Sequence, residues 1–298
     1  MYDVLIIGGG AAGLSAALIL GRCSRRVLVC DHGVPRNQAA RALHGFLSRD
    51  GVEPHELIRV SREQLTRYEN VQLLEGEVTD ARRVNGNFEI ELHHERRHRG
   101  RTLLLATGMV DTLPDGKGFE SFYGKSVFHC PYCDAWEVRD WPLAVYGRGE
   151  RAFNLSNSLF QWSKDIILFS DGPSELTDSQ LAHLNTRSIV VCTDEVVTLS
   201  GDNGVLQEVV LVNSLVIKRR ALFFTVGRFN PSPLASRLGC VKNKSGEVET
   251  NGLDLTNIPG LFAAGDVVGD VQFVIVAAAD GAKAAVGINK YLTAQEAD

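Results

Sequence analysis

A glycine-rich turn that occurs twice constrains this chain more than any other feature. Gly8-x-Gly10-x-x-Gly13 follows the apolar run Val4-Leu5-Ile6-Ile7 and opens a small-residue helix over Leu14 to Gly21. Gly147-x-Gly149-x-x-Ala152 follows a predicted strand over Trp141 to Tyr146 and opens a predicted helix over Phe153 to Trp162. Each helix leads to another apolar strand, ending at Asp31 in the first copy and at Phe169-Ser170-Asp171 in the second. A strand, a tight turn and a helix returning to a parallel strand make a right-handed βαβ unit.

Two such units predict an α/β fold of two Rossmann-like, three-layer dinucleotide-binding domains, the second inserted into the first. Around them, residues 53 to 70 read as a helix with Leu57, Ile58, Val60 and Leu65 on one face. Residues 71 to 75, 88 to 92 and 101 to 106 read as strands, with a hairpin turn at Asn85-Gly86. After residue 240 the first pattern returns: the strand Leu261-Phe262-Ala263-Ala264, then an alanine-rich helix from Val274 to Leu292. The discontinuous first domain is expected over 1–113 and 238–298, and the inserted one over 117–232. Proline and glycine mark linkers at Pro114 to Gly118 and Asn230 to Pro233.

The first turn is the dinucleotide fingerprint in its required context. Gly8 makes the turn, Gly10 admits a pyrophosphate to the backbone, and Gly13 lets helix and strand approach. The helix N-terminus adds partial positive charge for the phosphates, and Asp31 is placed to accept from ribose hydroxyls. In the second copy Gly147 and Gly149 repeat the spacing, with Ala152 third. An NADP site wants a cation at the end of the next strand, and Asp171 there repels a 2′-phosphate. The second slot therefore disfavours NADPH and suits NAD, FAD or no ligand.

The net charge of −5 gives no reason to expect nucleic acid or an anionic membrane as partner. No apolar run approaches bilayer length, and the N-terminus lacks a basic signal region, so a cytoplasmic protein is expected. Six cysteines are too few for a disulfide scaffold, and only Cys130 and Cys133 lie close together. Cys130-Pro131-Tyr132-Cys133 has the spacing of a redox pair in a tight turn or the first turn of a helix, which lowers a thiol's pKa. Zinc needs about four ligands and the other cysteines occur singly, so no metal is expected. Asp134 is placed to shuttle a proton to or from a thiolate, with His129 a weaker candidate. Gly265 and Asp266, at the end of the returning strand, suit the ribityl or phosphate end of a flavin. The helix beyond them can aim its amides at the ring. The basic run from His93 to Arg99 reads as a solvated hairpin rather than a metal site or a docking site for an acidic protein.

Taken in order, these pieces resemble the thioredoxin reductase family of FAD-dependent disulfide oxidoreductases across nearly the whole chain. Gly8 to Gly13 with Asp31, Ala106-Thr107-Gly108, Cys130 to Asp134, Gly147 to Ala152, Gly265-Asp266-Val267, Gln272 and the Ala277 to Ala285 helix carry it. The resemblance implies that Gly8, Gly10, Gly13, Asp31, Thr107, Gly108, Gly265, Asp266 and Gln272 hold FAD. It also implies that Cys133 faces the flavin, that Cys130 exchanges with substrate, and that Asp134 is the acid–base residue. A homodimer is implied as well. Family members that use NADPH carry His-Arg-Arg after the second βα unit, where this chain has Ser170-Asp171-Gly172. That departure is similar to the branch of dithiol oxidases and nucleotide-independent reductases. Arg36 and Asn37 of the Pro-Arg-Asn run, with His44-Gly45-Phe46, also resemble that branch and are expected to line the flavin pocket. The implied substrate is a dithiol or disulfide, either a thioredoxin-like protein or a small molecule. Donors considered are a pyridine nucleotide, a second flavin or a small electron-transfer protein. An NAD(P)H-linked reductase and a non-catalytic flavin-binding protein are the alternatives.

Overall fold

Alternation along the strand Tyr2–Ile7 decides how the first part of the chain packs. Val4 and Ile6 face one side of a sheet, Leu5 and Ile7 the other, and all four are buried. The computed structural model describes residues 1–93, 96–114, 117–225, 227–269 and 271–297. Its chain divides into two units. The first comprises Met1–Arg36, Phe46–Val110 and Phe229–Asp298, and the second Asn37–Gly45 and Asp111–Arg228.

In the first unit, Tyr2–Ile7 is paired in parallel with Val27–Asp31 on one side and Arg96–Leu105 on the other. Val71–Glu75 extends the sheet beyond Val27–Asp31. The long strand Arg96–Leu105 serves two purposes. Its second half pairs in parallel with Leu261–Ala263, while its first half pairs antiparallel with Asn87–Leu92, which in turn pairs with Val78–Val84. Helices Ala11–Arg22 and Val274–Ala297 cover the Val4/Ile6 face, burying Leu14, Leu20, Ala284, Ala285 and Ile288. Leu28, Phe88, Ile90, Leu103 and Leu261 form the core on the opposite face. Each such side chain contributes roughly 1.5–3 kcal/mol by leaving water.

The second unit has a parallel sheet in the order Val190–Cys192, Ile166–Phe169, Leu143–Tyr146, Ala221–Phe224, Val127–Phe128. Helices Gly149–Leu159 and Asp178–Thr186 pack on one face around Leu143, Val145, Leu159 and Leu184. A three-stranded antiparallel sheet, Val196–Asp202, Val205–Leu211 and Val216–Lys218, packs on the other around Phe119, Leu206 and Phe224. Both units are thus three-layered α/β assemblies, as the duplicated pattern requires.

One boundary needs correction. The strand expected from residue 101 begins at Arg96, so residues 96–99 of the basic run lie in one strand of the antiparallel hairpin. Two of its arginines are accommodated by carboxylates on the neighbouring strand Asn87–Leu92: Arg99 Nε lies 2.6 Å from Glu89 and Arg97 Nε 2.9 Å from Glu91. Glu89 is held below the ordinary carboxylate range by Arg99 and Arg82. Residues 94 and 95 of that run, and 115 and 116 of the expected 114–118 linker, lie outside the described residues. Among the described residues, no cluster of His, Cys, Asp and Glu could hold a metal. No helix there is long and apolar enough to cross a membrane.

Candidate cofactor and redox sites

The first glycine turn separates two demands. A Cβ on Gly8, whose φ is +106°, would lie 2.1 Å from the Ala106 carbonyl oxygen. One on Gly13 would lie 1.9 Å from the Gly8 carbonyl oxygen. Those two glycines are required by packing. At Gly10 a Cβ would meet nothing within 4 Å, so the backbone there is open to a ligand. Helix Ala11–Arg22 starts with no side-chain cap and no acidic residue in its first turn. Open backbone and uncapped amides at a helix start are what a pyrophosphate needs.

At the strand end Asp31 accepts from the Gly9 amide at 3.0 Å through one oxygen and from Arg62 through the other. A carboxylate has about four acceptor positions, which leaves room for a ribose hydroxyl. Gly108 sits beyond the end of Arg96–Leu105 with φ of +65° and open space where a Cβ would be, and Thr107 precedes it. Gly265, at φ +80°, brings the turn after Leu261–Ala263 against Ala12, where a Cβ would come within 2.9 Å of the Ala12 Cβ. Asp266 then begins a 3-10 turn, and Gln272 precedes helix Val274–Ala297. Arg36 joins them: its Nη1 donates to Asp266 Oδ2 at 2.7 Å and to Gln272 Oε1 at 2.6 Å. The expected set Gly8, Gly10, Gly13, Asp31, Arg36, Thr107, Gly108, Gly265, Asp266 and Gln272 therefore falls in one unit, and its open backbone and donors fit FAD. Asn37 falls in the other, where its carbonyl accepts from the Ala40 amide at 3.0 Å.

Cys130 and Cys133 form a disulfide with Cα atoms 5.3 Å apart. Cys130 is the extended N-cap of a one-turn helix, Pro131–Asp134, with proline at its first position. The Cys133 amide donates to Cys130 Sγ at 3.1 Å. Burial raises the Asp134 carboxyl to about 7, Glu137 adds to the rise, and His44 opposes it. His44 and Glu137 form an ion pair at 3.5 Å. His129 stacks on Tyr123 and lies 4.0 Å from Asp111. A carboxyl near 7 beside a disulfide is protonated often enough to give a proton and ionised often enough to take one.

The second glycine turn has the same outline and different chemistry. A Cβ on Gly147 would lie 2.0 Å from Thr225 Oγ1, so packing alone demands that glycine. The Gly149 amide, at the start of helix Gly149–Leu159, already donates to the Ser174 carbonyl at 2.8 Å. Arg148 turns back onto its own unit, donating to the Ser170 carbonyl at 2.7 Å and to that of Asp171. Glu150 stands in the helix's first turn, and Glu175 lies 3.7 Å from where a Gly149 Cβ would be. Asp171 accepts from Lys117 at 2.7 and 2.8 Å, from Tyr146 at 2.8 Å and from the Val196 amide at 2.8 Å. Burial alone would raise its carboxyl, but Lys117, the Val196 amide and Tyr146 hold it below the ordinary range. Reasoning from sequence missed Arg62, Lys117, Tyr146, Ser174 and the pairing of His44 with Glu137. Each reaches its partner across the fold, with no local motif to announce it.

The family model described as pyridine nucleotide-disulphide oxidoreductase matches residues 2–281. Thioredoxin reductase tcpT of Claviceps purpurea is 31% identical over 289 residues, covering 89% of this chain and 86% of that protein. Thioredoxin reductase of Aquifex aeolicus is 27% identical over 314 residues, covering 99% and 95%. The crystal structure of an oxidoreductase from Agrobacterium tumefaciens superposes with a TM-score of 0.92 at 34% identity, covering 98% of each chain. The chain belongs to the pyridine nucleotide-disulphide oxidoreductase family and is a thioredoxin reductase-like, FAD-dependent enzyme.

Proposed function

We propose that the chain exchanges electrons between FAD and the Cys130–Cys133 disulfide, and that NADPH does not feed its second glycine turn. The observation that carries the second part is the Gly149 amide donating to Ser174 at 2.8 Å. A pyrophosphate needs that donor, and Arg148, Glu150, Glu175 and Asp171 add an occupied mouth and negative charge around it.

The electron balance is simple. A substrate dithiol attacks through one thiolate at Cys130 Sγ, Cys133 leaves, and the second substrate thiolate completes a substrate disulfide. Two electrons and two protons then reside on Cys130 and Cys133. Bound FAD supplies a two-electron store that accepts them, or returns them when the direction is reversed. Asp134 takes the proton of the incoming thiol and gives one to the leaving thiolate. The substrate is a thioredoxin-like protein or a small dithiol, the terminal partner is oxygen or a small electron-transfer protein, and the working form is a homodimer in the cytoplasm.

A second reading, an NAD(P)H-linked disulfide reductase, is favoured by the family match over residues 2–281. Anaerobic titration of the purified yellow protein separates the two. The expected result is no bleaching of the flavin by stoichiometric NADPH or NADH and full bleaching by a dithiol. Bleaching by NADPH sinks the proposal as regards the second turn, and bleaching by either nucleotide establishes the second reading. A Cys133→Ser protein should lose dithiol-driven bleaching; unchanged turnover in that variant would overturn the disulfide mechanism.

A further inference from the structure

Arg36 lies five residues beyond Asp31, in the segment leaving the second strand of the first unit, yet it bonds to two residues more than two hundred positions away. One guanidinium nitrogen serves both Asp266 Oδ2 and Gln272 Oε1, and Gln272 Nε2 returns a 3.3 Å bond to the Asp266 carbonyl. Arg36 thereby ties the Asp266 and Gln272 side chains together at the start of helix Val274–Ala297. The Arg36 and Asp266 side chains are only 16% and 19% exposed, so solvent screens their pairing weakly. Asp266 keeps its other carboxylate oxygen for a hydroxyl donor.

The first glycine turn and Asp31 suit the pyrophosphate and adenosine of FAD. The Asp266–Gln272 turn then takes the ribityl and ring end, and the role of Arg36 rests on that reading of the site. A carboxylate at that end opposes the negative charge that the ring gains on reduction. Arg36 cancels it. We propose that Arg36 is a positioning residue for the flavin: it orients Asp266 and Gln272, and by neutralising Asp266 it favours the reduced over the oxidised cofactor. The planar guanidinium suits two acceptors at a fixed angle, a geometry that lysine reproduces in charge but only partly in direction.

The test is the midpoint potential of FAD bound to the purified holoprotein, measured by equilibration with a reference dye. Arg36→Met should shift the preference for the reduced cofactor about tenfold toward the oxidised, which is about 30 mV lower for a two-electron couple. Arg36→Lys should recover most of the shift. Adding Asp266→Asn to Arg36→Met should also recover it, because the uncompensated carboxylate is gone. An Arg36→Met protein that keeps its FAD at the wild-type potential overturns the proposal, as does a double variant no higher than the single. If Arg36→Met does not retain FAD, retention by the double variant supports the electrostatic role, and loss in both overturns it. A wild-type protein that binds no FAD at all is a different result, and it sinks the reading of the site rather than the role of Arg36.

Discussion

Asp134 and Arg36 show how far a residue's chemistry is set by neighbours that are distant in sequence. The Cys130–Cys133 pair and the acid after it are legible because the spacing is local. The state of Asp134 is not, because burial and Glu137, against the opposing His44, bring it to about 7 from 3.8, and His44 arrives from a segment ninety residues earlier. The pH consequence has a definite sign. A carboxyl whose pKa is raised on folding binds its proton more tightly in the native state. Its contribution to stability is therefore full below pH about 4 and lost as pH rises through about 7. Asp134→Asn should gain stability relative to the wild type on going from pH 4 to pH 8, as urea midpoints at the two pH values would reveal. The same variant should exchange disulfides about 10²-fold more slowly and lose the step near pH 7 from its rate profile. A rate profile that keeps that step in the Asn variant would remove Asp134 from the proton transfer.

Among the elements, the glycine helix and its partner make the most testable claim. A Cβ at Gly281 of helix Val274–Ala297 would lie 1.9 Å from the Ala12 carbonyl oxygen, on the opposing helix. Gly281→Ala should therefore force the two helices apart and cost about 1–3 kcal/mol, measurable by urea denaturation. Gly10→Ala makes the complementary case, since a Cβ there meets nothing within 4 Å. It should change stability by no more than about 0.5 kcal/mol. Its FAD affinity, followed by flavin fluorescence, should nevertheless fall tenfold or more. Equal loss of stability in both variants would erase the distinction between packing and binding glycines. Elements bounded by glycine turns and apolar runs were legible, including both βαβ units and the alanine-rich helix. The strand Arg96–Leu105 begins five residues before the expected position, because cross-strand carboxylates let arginines enter a sheet. The antiparallel sheet over 196–218 carries no motif, and its place on the second unit follows only from which apolar side chains it buries.

At the scale of the whole molecule, one plan has been used twice. Both units place a glycine turn between a central parallel strand and a helix, and in both the first glycine is demanded by packing. In the first the backbone at Gly10 stays open, whereas in the second the Gly149 amide at the helix start is already bonded to the Ser174 carbonyl. The α/β class could be read from the duplication, and Asp171 at the second strand end already set the two slots apart, but the bond from Gly149 to Ser174 could not be read, because it depends on how the loop after Phe169 returns. Placing a cation at the strand end is the obvious way to seek NADPH use. Asp171→Arg should instead lose about 3 kcal/mol, since Lys117, Tyr146 and the Val196 amide all lose their acceptor. It should show no NADPH binding by fluorescence, and clear binding with unchanged thermal stability would refute that account. The bonds from Gly149 to Ser174, from Arg148 to two carbonyls, and around Asp171 interlock. Undoing any one of them exposes a polar group without yet making a place for phosphate. A lineage that had closed this turn in such a way would meet a valley on every single-step route back, so the closure behaves as a ratchet.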